Sequence, residues 1–238
     1  MRCDKLQLSA TALSPVGFLD DLKRQADDAR ARLNSDTSLL ERNSALADAA
    51  CKTASSYFST LVQQLNVLRP PAKVTYRLDK RHAFEAMQLC DFRSDARRTR
   101  LRGAEVYERV ALRWRMTSGQ RLALVKNFLP DIEQIESRLR RSGAQFHAET
   151  VRHPETNKLQ EMRYEIHADF EAAVNIAPDH DNGRLRFELV NLDGFETVTV
   201  EFAAFEVGTG RMDELARWIM GEPSGFLKGG QALRRVEA

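Results

Sequence analysis

Three strings in this chain carry residue types whose spacing could do chemistry. Pro178-Asp179-His180-Asp181 sets two carboxylates beside an imidazole, the groups that bind metals and form acid/base pairs. Arg93, Arg97, Arg98, Arg100 and Arg102 are followed by Arg109, Arg113 and Arg115, enough positive charge to track a phosphate backbone. Gly208-Thr209-Gly210 precedes a helical pattern whose first amides could hold an anion.

Each string also has a plainer account. Asn182-Gly183 is a hairpin signal, and it explains the polarity of the preceding loop as turn chemistry. No second histidine completes a site with His180. His153 lies in the loop at the other end of a long strand, His167 sits between Glu165 and Asp169 on that strand's polar face, and His82 and His147 have no paired motif. The arginine run is diluted by Asp91, Asp95, Glu105 and Glu108, and only Tyr107 accompanies it for base stacking. No Lys-Ser/Thr follows the glycines as a phosphate loop would require, and no Gly-x-Ser-x-Gly elbow is present. Cys3, Cys51 and Cys90 form neither a disulfide framework nor a metal knuckle. The reading from these residues is therefore no catalytic residue, no metal and no cofactor.

The elements that must position such residues are clearer. Met162, Tyr164, Ile166, Ala168, Phe170, Ala172, Val174 and Ile176 alternate with polar residues, the signature of one long strand buried on a single face. A bend is expected near Ala172-Ala173, because most strands are far shorter. Val106 to Met116 predicts a second strand, ended by a turn at Thr117-Ser118-Gly119. Pro130, early acids, late arginines and Gly143 predict a helix between strands. Hairpins at Asn182-Gly183 and Asp193-Gly194 and a helix from about Thr209 to Gly221 complete an antiparallel α+β domain over 72–228.

Residues 1–14 read as a tail, 229–238 as a C-terminal tail, and 15–69 as an antiparallel helical hairpin broken at Asn34-Ser35. The first helix is too short to cover the end of the second. Tyr57, Phe58, Leu61, Leu65 and Leu68 are thus left for a partner, a second copy or the rest of the chain. The expected fold class is α+β, the hairpin followed by a strongly curved, mainly antiparallel sheet with two packed helices.

Charge is uneven beneath a net +2: residues 73–143 hold 17 basic and 9 acidic groups, and 144–238 hold 10 and 17. Opposite faces of neighbouring strands would neutralise each other, and the expectation is that Arg109, Arg113 and Arg115 lie in the same sheet as Glu161, Glu165 and Asp169. No apolar run is long enough for a membrane helix and no secretory signal stands at the start, so a cytoplasmic protein is expected. The leading function is a non-enzymatic interaction or adaptor protein, with a protein partner or a second copy and no membrane. The alternatives are a nucleic-acid-binding protein using the eight arginines, or an enzyme or binder of a small apolar ligand on the concave sheet face.

Overall fold

The computed structural model describes residues 18–237, so the expected 1–14 tail, the Ser14-Pro15 cap and Cys3 lie outside the described residues. The helical hairpin does not form. Residues Phe18–Leu68 make one helix, α1, of 51 residues. Asn34 and Ser35 are mediocre helix formers, but neither forbids the helix as proline would. The Thr37 hydroxyl donates to the Leu33 carbonyl at 2.8 Å, across the predicted break. The chain divides inside this helix, one unit ending at Glu41 and the other running from Arg42 to the C-terminus. The end of α1 therefore belongs with the strands.

Within that second unit the strands are β1 (Tyr76–Arg77), β2 (Ala83–Phe84), β3 (Gln88–Leu101), β4 (Ala104–Lys126), β5 (Phe146–Arg152), β6 (Leu159–Asp179), β7 (Arg184–Val190), β8 (Glu196–Ala203) and β9 (Gln231–Glu237). Helix α2 (Leu129–Ser142) and helix α3 (Thr209–Ile219) interrupt them. β1 and β2 pair with each other, and the rest form one open antiparallel sheet ordered β3-β4-β6-β7-β8-β9, with β5 also on β6. The long β6 lies along β4 and, on its other side, is shared by β5 at one end and β7 at the other.

Tyr164, Ile166, Ala168, Phe170, Ala172, Val174 and Ile176 of β6 are all buried, as their alternation requires. They join one hydrophobic cluster with Ala47, Cys51, Ala54 and Phe58 of α1, Ile132, Ile135 and Leu139 of α2, and Met212 and Leu215 of α3. The opposite face is charged. Arg115 of β4 makes a bidentate ion pair with Asp169 of β6, and Arg121 meets Glu165 at 3.3 Å. Arg109 lies in the same sheet, and its carboxylate partner is Asp95 on the neighbouring β3, at 3.2 Å, in place of one on β6.

Two boundaries differ from the sequence expectation. Thr117-Ser118-Gly119 is not a turn, because β4 runs through it and the register to β6 shifts between Thr117 and Arg121. The irregularity lies there and not at Ala172-Ala173, where pairing to β4 is unbroken. Gly119, at φ +68°, supplies the left-handed residue a bulge uses. The expected C-terminal tail instead forms β9 on the edge of β8, recruited by backbone pairing, since all seven of its residues are exposed.

Candidate functional site

A large cleft, about 910 Å³, lies between the segment 75–82, the end of β4, helix α2 and the turn at Asp193–Glu196. Tyr76 anchors its first wall. This ring is buried, stands 4.9 Å from Phe170 and 5.3 Å from Phe195, and its hydroxyl donates to the Asn191 carbonyl at 2.8 Å. Leu78 is buried beside it. Chain reversal follows at once, with the Leu78 amide donating to the His82 carbonyl at 2.8 Å. From α2, Arg138 donates to the Leu78 carbonyl at 2.7 Å and ties the two walls together.

Asp79 is the centre of this reversal. Its Oδ1 accepts from the Arg81 and His82 amides, each at 2.7 Å, and from His82 Nδ1 at 2.9 Å. Its Oδ2 accepts from Lys126 Nζ at 2.8 Å, an ion pair in which both side chains are only 19% exposed. Burial pushes the Asp79 carboxyl up. The hydrogen bonds from Lys126, His82 and the two amides outweigh that and hold it well below the usual carboxylate range. With an ionised acceptor on one side, His82 carries its hydrogen on Nδ1, so Nε2 is the nitrogen left over. Among the described residues Nε2 has no hydrogen-bond partner.

The sequence reading passed over this cluster, treating His82 as a histidine without a paired motif. Asp79-x-x-His82 is a local signal that could have been seen, because an Asp accepting from amides two and three residues on is ordinary turn chemistry. Lys126 had no such signal. It arrives from 47 residues away, by the antiparallel path of β4.

The more conspicuous string has become a structural junction. His180 Nε2 donates to the Tyr107 carbonyl at 2.8 Å, which leaves Nδ1 to accept from the Ser44 hydroxyl at 3.2 Å. Asp179 receives the Asp181 and Asn182 amides at 3.2 and 3.1 Å and the Asn182 side chain at 2.8 Å. The Asn182 bonds lead in holding its carboxyl below the usual value. Asp181 pairs with Arg102, and its carbonyl accepts from Asn43 at 2.7 Å. Gly183 has φ +61°, and a Cβ there would lie 3.1 Å from Asn43 Oδ1. The loop thus joins α1, β4 and the β6–β7 turn with its polar groups consumed.

The arginines lie on β3, the edge strand of the sheet, on its neighbour β4, and, for Arg102, in the turn between them. Arg97 pairs with Glu108 at 2.9 Å, Arg98 with Glu105 at 3.6 Å, Arg102 with Asp181, Arg109 with Asp95, and Arg115 with Asp169. Arg98 also covers the Tyr107 ring at 4.5 Å, occupying the one aromatic face in the run. Arg93, Arg100 and Arg113 make no ion pair among the described residues. Charged side chains along an exposed edge discourage strand addition by another chain, which accounts for the run without a ligand.

Of the apolar helix residues, Phe58 and Leu65 are buried in the chain's own core, and Leu68 is 68% exposed at the helix end. Tyr57 and Leu61 are half-buried and line a shallow groove of about 590 Å³ that reaches Thr209. The Tyr57 hydroxyl donates to Asp213 at 2.7 Å. Thr209 opens α3, whose first turn follows Gly208 without a side-chain cap. Of the five residues expected to be covered by a partner, a second copy or the rest of the chain, Phe58 and Leu65 are thus covered by the chain's own core and Leu68 is not.

Comparison with family models, curated proteins and solved structures finds no match. No helix among the described residues is long and apolar enough to cross a membrane.

Proposed function

We propose that this protein binds a small charged molecule in the cleft at Asp79, His82 and Lys126. The observation that carries this reading is the combination of a cleft of about 910 Å³ with a convergent polar cluster in its lining. A recess of several hundred Å³ with a few oriented polar groups is the usual form of a small-ligand site. The cluster has the preorganisation such a site needs, since four donors from two elements fix the Asp79 carboxylate and through it His82 and Lys126. Charged side chains of Asp79, Lys80, Arg81, Lys126 and Glu196 are among its lining, so it favours a charged ligand over the apolar one expected for a concave sheet face.

The test is a screen of small charged molecules by saturation-transfer NMR, repeated with His82→Ala and Lys126→Met. Binders seen with the wild type and lost with both variants support the cleft. Binders retained by both variants place the site elsewhere and overturn the reading.

A second reading, self-association or adaptor docking through α1, is favoured by Leu19, Leu22, Leu33 and Leu39, which are 66%, 45%, 65% and 54% exposed. Most helical stability in proteins comes from packing of an apolar face, which these exposed leucines would gain from a partner. Light scattering of the wild type against a Leu22→Lys/Leu33→Lys variant tests it. A wild-type dimer that becomes a monomer supports this reading, and a monomer in both cases ends it. Nucleic-acid binding draws less support, because five of its eight arginines already face carboxylates.

A further inference from the structure

We propose that the cleft recognises its ligand through an oxyanion, a phosphate, phosphonate or carboxylate group, seated on Lys126 Nζ beside the His82 ring, with Arg77 and Arg81 at the mouth. This rests on the reading of the cleft as a ligand site and adds the sign of the group that enters it.

The argument is one of donors and acceptors. A carboxylate offers about four lone-pair sites. Oδ1 of Asp79 takes two backbone amides and the imidazole, and Oδ2 takes the ammonium and shares the same imidazole N–H at 3.0 Å. It therefore has no acceptor left to show a cation. What remains at the cluster is donor capacity. Lys126 has used one of its three N–H bonds on Asp79, which leaves two. An ammonium fixed by a carboxylate presents its remaining N–H groups in a set geometry, the arrangement that charge-assisted oxyanion binding uses.

The surrounding charges agree with that sign. The seven residues Tyr76–His82 contain Arg77, Lys80, Arg81 and His82 against Asp79 alone. Arg77 and Arg81 line the cleft and make no ion pair among the described residues. On the acidic side of the lining, Glu196 and Asp193 share Arg235, at 2.9 and 4.0 Å. Asp131 stands in the first turn of α2, where the helix dipole favours a carboxylate. Three of the lining carboxylates that would oppose an anion are thus answered locally; Glu237 makes no ion pair among the described residues, against the two unpaired guanidinium groups of Arg77 and Arg81.

The experiment titrates the wild-type chain with inorganic phosphate and, separately, with 1,4-diaminobutane, following the ¹⁵N-labelled histidine ring signals. Phosphate should move the His82 Nε2 signal saturably. Lys126→Met should weaken phosphate binding by roughly tenfold or more, the loss of one charge-assisted contact. Arg81→Gln, an exposed change that leaves Asp79 untouched, should weaken it several-fold and guards against a folding artefact in the Lys126 variant. If diaminobutane moves the His82 signal and phosphate does not, the cleft remains a ligand site and the oxyanion inference is overturned. If neither probe moves it and the charged-molecule screen finds binders that both cleft variants retain, both fall together.

Discussion

The chain holds two Asp/His clusters of similar composition, and they have opposite fates. At Asp179-His180-Asp181 both imidazole nitrogens are consumed, one by the Tyr107 carbonyl and one by the Ser44 hydroxyl. At Asp79-Lys80-Arg81-His82 only Nδ1 is consumed, and the ring stands at the wall of a cleft. The difference lies in what surrounds each turn. The first turn is clamped between α1 and β4, so its polar groups bridge elements. The second folds back on itself around Asp79, and its remaining donors are left for solvent or a ligand. A site-like string in a sequence marks polarity. Whether that polarity is spent or spare is decided by tertiary neighbours.

The largest expected effect that sharpens the contrast is on Asp79. Asp79→Ala strands two amides and a partly buried ammonium, and should lower stability by about 1–3 kcal/mol in urea unfolding. A variant as stable as wild type would mean that the turn does not depend on its centre.

Acid should act through the same group. Asp79 has a folded-state pKa below its unfolded value near 3.9. Its contribution is therefore fully present at neutral pH, and it is lost as pH falls below about 4 toward the folded value. Asp79→Asn should flatten that part of the stability profile between pH 5 and pH 3, as measured by thermal unfolding across those pH values. An unchanged profile would show that the carboxylate is not held down by its four donors.

A smaller loss is expected at the other cluster. His180→Ala leaves the Tyr107 carbonyl and the Ser44 hydroxyl without their partner, and should cost about 0.5–1.5 kcal/mol of stability with ligand binding intact. A double-mutant cycle with Ser44→Ala should show coupling between the two. Loss of ligand binding in His180→Ala would erase the distinction between the clusters.

The smallest stability change belongs to His82. His82→Gln should shift stability by no more than about 0.5 kcal/mol, as for a half-exposed side chain, while weakening binding in the cleft. A large loss of stability there would make His82 a structural residue like His180.

Much of the framework was legible in the residues, and the reasons are physical. Period two over Met162–Ile176 needs only one buried face, and β6 obeys it residue by residue. Gly143 ends α2 in the left-handed conformation its position suggested. Where the sequence misled, the missing information was tertiary. Asn34-Ser35 lowers helix propensity without breaking a helix, and Ser118-Gly119 bulges a strand that neighbours on the sheet hold straight through. Phe58 and Leu65 looked uncovered because the sheet that covers them is remote in sequence. The cleft was invisible for the same reason, since Asp79 and Lys126 meet only after β4 has run its length.

One measurement addresses the central claim, that His82 is spare and His180 is spent. Long-range ¹H–¹⁵N spectra of the labelled imidazoles, recorded with and without phosphate, report tautomer and contact for each ring. His82 should show hydrogen on Nδ1 and an Nε2 signal that moves on addition of phosphate, while His180 shows hydrogen on Nε2 and stays fixed. A His180 ring that responds while His82 does not would contradict the account.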